Sequence, residues 1–132
     1  MALNLGFVDS IVFDANGLVP VIAQQFDSGE VLMMAWMNRA ALEATLADGQ
    51  VRYWSRSRKQ LWRKGERSGQ FQRLVELRVD CDGDTLLLRV DQTGAACHTG
   101  QRSCFFRGFL DGDWHTLSEP ISDPEALYGD DR

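Results

Sequence analysis

The chain contains 132 residues with a net charge of −5, and 44% of its residues are hydrophobic and 25% are charged. These values are typical of a soluble globular domain and exclude a disordered tail, a collagen-like fibre and a disulfide-stabilised miniprotein. The sequence has no run of about 18 apolar residues and begins without a basic stretch, so we expect no membrane span, no signal peptide and a cytoplasmic protein. Residues 1–132 contain no obvious linker and are predicted to form a single domain.

A strand hairpin followed by a helix is predicted near the start of the chain. Apolar runs at 18–26 and 31–37 flank a polar, glycine-containing turn, which is typical of two paired strands. Asn38 is a suitable N-cap for a helix over residues 39–48, which are rich in alanine and leucine. Gly49 is suited to end that helix, because glycine readily adopts the left-handed conformation of helix C-termini.

The remainder of the chain is predicted to be mostly strand. Asp82-Gly83 is a strong two-residue hairpin signal between segments at 74–79 and 85–90. Asp123-Pro124 is suited to open a short second helix, because proline is tolerated in the first helical turn. Three further segments are predicted to be strands: 51–55, 61–64 and 104–110. We therefore expect an α+β fold with a mostly antiparallel sheet, about two short helices and seven or eight strands.

Three aspartates alternate within the predicted hairpin turn. If the backbone is extended, the carboxylates of Asp80, Asp82 and Asp84 share one side, and a hard cation such as Mg²⁺ would relieve their repulsion. The spacing also resembles the start of an EF-hand calcium loop, but that pattern fails at Thr85 and Asp91, where it requires glycine and glutamate. The alternative is a polar turn whose acids face water.

The three cysteines form a second group of candidate ligands. Cys97 and Cys104 lie in a polar, glycine-containing segment, and Cys81 lies between the aspartates. Three thiolates would bind zinc and leave its fourth position for water, which is the pattern of catalytic zinc sites. Alternatively, a histidine, His98 or His115, completes a structural site, or the cysteines are packing residues.

A basic segment, residues 52–73, contrasts with the acidic remainder. It contains eight of the fourteen basic residues and one acidic residue, and so carries +7 in a chain of net charge −5. A compact basic segment in an acidic protein fits a small polyanion better than nucleic acid, although a solvated charged hairpin is the simpler explanation. Six side chains are candidate phosphate ligands: Arg56, Arg58, Lys59, Arg63, Lys64 and Arg67.

Three segments, in this order, carry a resemblance to a known family: WSRSRKQLWRKGERSG at 54–69, VDCDGDTLLL at 79–88 and ACHTGQRSCFF at 96–106. Through them the chain resembles the phosphoribosyl-AMP cyclohydrolases, hydrolases of histidine biosynthesis that open a purine ring. The resemblance covers residues from about 18 to 109. Some relatives carry a fused domain that hydrolyses phosphoribosyl-ATP, and because this chain ends at residue 132 we expect a single activity.

The resemblance implies two metal sites and a dimer. Family members bind zinc through three cysteines, which here correspond to Cys81, Cys97 and Cys104. They bind magnesium through aspartates that correspond to Asp80, Asp82 and Asp84. The resemblance further implies an intertwined homodimer in which the partner subunit supplies the cysteine at position 81, with one zinc ion per subunit.

The resemblance also implies a reaction. In 1-(5-phosphoribosyl)-AMP the ribosyl group on N1 leaves the adenine ring cationic and its C6 electrophilic. Zinc-activated water attacks C6, the N1–C6 bond breaks, and the product is a formimino aminoimidazole carboxamide ribonucleotide. His98, next to a predicted ligand, is the candidate for proton transfer, and His115 has less support.

Three alternative functions predict different observations. A zinc deaminase would release ammonia, but the H-x-E…P-C-x-x-C signature is absent because no two cysteines lie three residues apart. A structural zinc module would bind polynucleotides with a steep salt dependence and no turnover, which the acidic net charge disfavours. A cysteine-nucleophile enzyme would survive chelation but not alkylation.

Overall fold

The computed structural model describes residues 6–123. These residues form eight strands, four of which make up a central sheet. A 3₁₀ turn at Gly6–Ser10 precedes the sheet, and one α-helix, α1, spans Arg39–Asp48. The strands are β1 (Val19–Gln25), β2 (Val31–Met37), β3 (Arg52–Ser55), β4 (Gln60–Arg63), β5 (Gln72–Val79), β6 (Leu86–Gln92), β7 (Arg107–Leu110) and β8 (Asp113–Thr116). The α+β class predicted from the sequence is confirmed.

The central sheet is mixed rather than purely antiparallel. Its strand order is β2-β1-β6-β5, so two antiparallel hairpins meet where β1 pairs with β6 in parallel, with Val21 opposite Leu86. The pairs β3–β4 and β7–β8 form separate two-stranded antiparallel hairpins. The predicted antiparallel pairing is therefore confirmed for all the described strand pairs except β1 with β6. The 60 residues between the end of β1 and the start of β6 provide the long crossover connection that a parallel pair needs.

One face of the sheet forms the core. Alternate residues of β1 and β6 are buried there, as the period of two along a strand requires, and they form one hydrophobic cluster with residues of α1 and β3. Ala41, Leu42 and Tyr53 belong to this cluster and are almost fully buried. The hydrophobic core thus holds the β3–β4 hairpin against the sheet.

The helix has the ends that the sequence predicts. The Asn38 side chain accepts a hydrogen bond from the Ala41 amide at 2.8 Å, which satisfies one of the unpaired amides of the first turn. Gly49 has a φ of 78° and donates its amide to the Thr45 carbonyl, which ends the helix in a left-handed cap. No helix within residues 6–123 is long and apolar enough to cross a membrane.

Near the C-terminus, the structure shortens one predicted strand, and a predicted helix falls on residues that it does not describe. The strand predicted for 104–110 begins only at Arg107, because the Cys104 amide donates to the Leu32 carbonyl and pulls the preceding segment alongside β2. The second helix, predicted to open at Asp123-Pro124, lies outside the described residues apart from its first position.

A bidentate ion pair ties α1 to β3. Both carboxylate oxygens of Asp48 accept hydrogen bonds from Arg52, at 2.7 and 2.8 Å, and Asp48 also accepts from the Gln50 amide at 2.9 Å. The hydrogen bond from Arg52, followed by that from the Gln50 amide, lowers the pKa of Asp48 to about 2. Because the folded pKa lies below the ordinary aspartate value, this pair stabilises the fold above about pH 4 and loses its effect as the pH falls towards 2.

We expect the carboxyl group of Asp48 to remain ionised at pH 3, where an ordinary aspartate is mostly protonated. Arg52→Gln should move its titration midpoint up towards about 4, because the variant lacks the guanidinium charge. A carbon-detected NMR titration between pH 3 and 7 measures the midpoint of the variant and shows whether Asp48 of the unmodified protein is still ionised at pH 3. An unchanged midpoint in the variant would contradict the assignment of the shift to this pair.

Candidate active site

A cleft of about 490 Å³ lies between the β3–β4 hairpin with its following turn and the loop after β6. The indole ring of Trp62 lines the cleft and packs against Tyr53, with ring centroids 5.3 Å apart. His98 and Cys104, from the loop after β6, line the opposite side. Residues of the segments 54–69 and 96–106, two of the three that carry the family resemblance, therefore line the same cleft.

The candidate phosphate ligands divide into two groups. Four of them line the cleft: Arg58, Arg63, Lys64 and Arg67. Arg56 instead stacks on the ring of Trp36, with the guanidinium carbon 4.6 Å from the ring centroid. Lys59 is exposed at the tip of the hairpin with a φ of 53°. The cleft therefore presents a concentrated positive charge from part of the basic segment.

The turn after β4 requires a glycine. Gly65 has a φ of 90°, and a Cβ added there would lie 2.7 Å from the Phe71 amide nitrogen. Any other residue would combine a strained backbone with a steric overlap. The close approach of these two backbone segments turns the chain back and brings Glu66, Arg67 and Ser68 to the cleft.

The loop of residues 94–104, hereafter the thiol loop, holds two cysteines together. The Cys97 amide donates to the Gln101 carbonyl at 3.2 Å and the Gly100 amide donates to the Cys97 carbonyl at 3.0 Å. Desolvation, followed by the charge of Cys97 and a hydrogen bond with its thiol, raises the pKa of Cys104 to about 12. Two thiols this close resist joint ionisation unless a cation binds them, so their chemistry fits a soft divalent metal such as zinc.

Lys64 lines the cleft and contacts the thiol loop. Its side chain is buried, and its Nζ donates a hydrogen bond of 2.6 Å to the Ala96 carbonyl, directly before Cys97. Burial lowers the pKa of Lys64, and the negative charges of Cys104 and Cys97 oppose that effect. The lysine is thus fixed by the loop rather than directed towards solvent.

The predicted carboxylate cluster is present. Ligand oxygens of Asp80, Asp82 and Asp84 all lie within 4.8 Å of one another in the exposed turn between β5 and β6. A hydrogen bond with Asp80, followed by the charge of that residue, raises the pKa of Asp84, as expected for carboxylates that lie close together. Three converging oxygen donors that repel one another fit Mg²⁺, a hard cation that prefers carboxylate ligands.

Cys81 does not join the other two cysteines within one chain. It is exposed in the acidic turn and follows β5, whereas Cys104 lies beside β2 through its hydrogen bond to Leu32. These strands are the two edges of the sheet and lie about 14 Å apart at roughly 4.8 Å per strand interval. Within the described residues of a single chain, the three cysteines therefore do not form one site.

The two histidines occupy different surroundings. His98 is exposed and lines the cleft beside the thiol loop. His115 lies in β8, where its Nε2 is 3.1 Å from the Leu110 carbonyl oxygen of the same hairpin. The geometry thus places His98, and not His115, on the cleft wall.

A buried glutamine network supports the thiol loop and was missed by the sequence analysis. Tyr53 donates to the Gln72 side chain at 2.6 Å, and Gln72 donates to the Gln92 side chain at 2.8 Å. Gln92 in turn donates to the carbonyls of Thr93 and Ala95 at the start of the loop. The available signal was the alternation along β6, because Gln92 follows Leu86, Leu88 and Val90 on the buried side of that strand. Gln72 lies opposite Gln92 in β5.

A cleft that combines aromatic and cationic side chains with two thiols and a histidine is typical of an enzyme active site. Comparison with known proteins gives the family. Residues 33–106 match the family described as Phosphoribosyl-AMP cyclohydrolase. The chain belongs to the phosphoribosyl-AMP cyclohydrolase family.

Curated relatives support the same assignment along most of the chain. The phosphoribosyl-AMP cyclohydrolase of Alkalilimnicola ehrlichii is 69% identical over 120 residues, which cover 90% of this chain and 84% of that protein. The protein of the same name from Rhodospirillum rubrum is 66% identical over 121 residues, covering 91% and 85%. That from Granulibacter bethesdensis is 66% identical over 122 residues, covering 92% and 95%.

We expect Tyr53→Phe to lower the free energy of unfolding by about 1–3 kcal/mol, because it leaves the buried amide oxygen of Gln72 without its donor. Urea denaturation followed by fluorescence measures the change. Ser57→Ala, which removes an exposed hydroxyl from the tip of the same hairpin, should change stability by less than about 0.5 kcal/mol. Equal effects of the two substitutions would contradict a structural role for the network.

Proposed function

We propose that this protein hydrolyses 1-(5-phosphoribosyl)-AMP in the histidine biosynthetic pathway of the cytoplasm. Water adds to C6 of the adenine ring and the N1–C6 bond breaks. The water oxygen becomes the carboxamide oxygen, and the exocyclic nitrogen stays in the product. The product is a formimino aminoimidazole carboxamide ribonucleotide, and no ammonia is released.

The observation that carries the proposal is the meeting of the basic segment with the thiol loop around one cleft. The substrate has two phosphates and a cationic purine, and the cleft offers guanidinium groups beside an indole ring. Arg58, Arg63 and Arg67 line the cleft and are our proposed phosphate ligands, since arginine binds phosphate oxygens in a bidentate manner. Trp62 offers an aromatic face for the base.

Zinc is proposed as the catalytic metal because the cysteine donor set suits it. Cys97 and Cys104 of one subunit and Cys81 of the partner subunit would hold the ion, which supplies an activated water near neutral pH. His98, on the cleft wall, moves a proton to or from the reacting atoms. Trp62 and the cleft arginines orient the purine so that C6 faces the thiol loop.

Magnesium is proposed at the carboxylate cluster of Asp80, Asp82 and Asp84. Cys81 lies in the same turn, so a partner subunit that supplies this cysteine also brings the carboxylates to the cleft. A cation held there would balance the charge of a substrate phosphate. Both proposed metals would therefore belong to one composite site.

A homodimer is supported by an apolar row on the second face of the sheet. Met34, Ile22 and Leu87 lie opposite one another across β2, β1 and β6, and each is half-buried or exposed. The β7–β8 hairpin adds Phe109 and Trp114, which are 60% and 64% exposed. Apolar surface of this kind is typical of association, and a second copy would also complete the cysteine set.

The decisive experiment combines a turnover assay on phosphoribosyl-AMP with elemental analysis of the purified protein. We expect a change in ultraviolet absorbance from ring opening, about one zinc per chain, and no ammonia. Stoichiometric ammonia would instead favour a deaminase. Activity that survives strong chelation but not alkylation would favour a cysteine nucleophile.

Cys97→Ala should abolish both turnover and zinc binding, because it removes one of three proposed ligands. Zinc content should fall from about one equivalent per chain to near zero. Ser28→Ala, a comparable loss of one side-chain heteroatom in the exposed β1–β2 turn, should change neither quantity. Full activity of Cys97→Ala without bound metal would refute the zinc proposal.

Asp82→Asn should raise the magnesium concentration needed for half-maximal activity several-fold while leaving zinc content unchanged. Asp111→Asn is a matched control, since it makes the same change at an exposed turn where asparagine tolerates the positive φ of 52°. Magnesium titrations of the three proteins test the prediction. An identical magnesium response in Asp82→Asn and Asp111→Asn would refute the carboxylate site.

A further inference from the structure

One of the two lysines in the chain is buried where a phosphate ligand would be expected to reach outwards. Lys64 is only 6% exposed, whereas Lys59 is exposed at the hairpin tip. Burying an ammonium group is costly unless hydrogen bonds or opposite charge compensate it. The burial of Lys64 therefore calls for a role inside the protein.

The ammonium group of Lys64 contacts the thiol loop directly. Its Nζ donates to the Ala96 carbonyl at 2.6 Å, directly before the proposed ligand Cys97. The Nζ also lies 5.9 Å from the centroid of the Trp62 ring, which faces the cleft. One ammonium group thus joins the aromatic wall of the cleft to the segment that carries a proposed ligand.

The charge of the proposed metal site favours a cation beside it. Three thiolates and one Zn²⁺ carry a net charge of −1, and the site lies in a partly desolvated cleft wall. A cation behind the two thiolates offsets that charge. Its hydrogen bond to the residue before Cys97 also fixes the direction in which the Cys97 side chain projects.

We propose that Lys64 is a positioning residue for the metal site, which orients the thiol loop and balances the charge of its two thiolates. This inference rests on the proposed function, because it presumes that Cys97 and Cys104 bind a divalent metal. In this role Lys64 supports the cysteines that bind the metal, and the arginines of the cleft bind the substrate phosphates. The two assignments predict different effects of removing the ammonium group.

The test is the affinity of the full-length, metal-free protein for Co²⁺, a probe whose absorption reports bonds to thiolates. Lys64→Met keeps the length and apolar body of the side chain but removes its charge and donors. We expect it to weaken cobalt binding by roughly 10–100-fold, the usual effect of removing a group that supports metal ligands. Lys59→Met, the same substitution at the exposed lysine, should leave cobalt affinity unchanged.

The outcomes separate this inference from the proposed function. If the unmodified protein gives no thiolate-to-cobalt absorption, the zinc proposal itself fails. If the unmodified protein and Lys64→Met bind cobalt equally well, only the role of Lys64 is refuted. A raised KM for phosphoribosyl-AMP together with unchanged cobalt affinity would instead assign Lys64 to the substrate.

A second measurement decides the question if Lys64→Met fails to fold. Because the chain has only two lysines, amine acetylation followed by peptide mass spectrometry can follow each one separately. In the zinc-loaded protein we expect fast labelling of Lys59 and strong protection of Lys64. Removing zinc should speed the labelling of Lys64 at least several-fold, and equal rates with and without zinc would overturn the inference.

Discussion

The central sheet is organised around the parallel pairing of β1 with β6. This pairing joins two antiparallel hairpins into one sheet, with Val21 opposite Leu86 and Gln25 opposite Val90. As a consequence, β2 and β5 become the opposite edges. The thiol loop lies along the first edge and the acidic turn follows the second, so one chain keeps its two groups of candidate ligands apart.

Polar groups inside the core connect this sheet to the cleft. Gln72 and Gln92 are buried, yet their amides are paired with Tyr53, with each other and with backbone carbonyls of the thiol loop. A paired buried amide contributes modestly to stability but is costly to leave unpaired, so the network favours one arrangement of the loop. Rigid support from the core is what a site needs to hold several side chains in fixed directions.

The sequence predicted local structure well and long-range structure poorly. The bounds of α1 follow from Asn38 and Gly49, which act through contacts within a few residues. The parallel pairing of β1 with β6 was not predictable, because it depends on which strands meet across 60 intervening residues. The identities of the cleft residues followed from motifs, but the burial of Lys64 depends on the fold around it. Charge alone could not separate this lysine from the solvent-facing Lys59.

The outer side of β5 is an edge of the central sheet. Glu76 and Arg78 pair there at 2.9 Å, and the strand is interrupted by a bulge between Leu74 and Glu76. Charged side chains and bulges on a terminal strand discourage a foreign strand from adding to it and so protect against fibrillar aggregation. These two features of β5 therefore disfavour association by addition of a strand to this edge of the sheet.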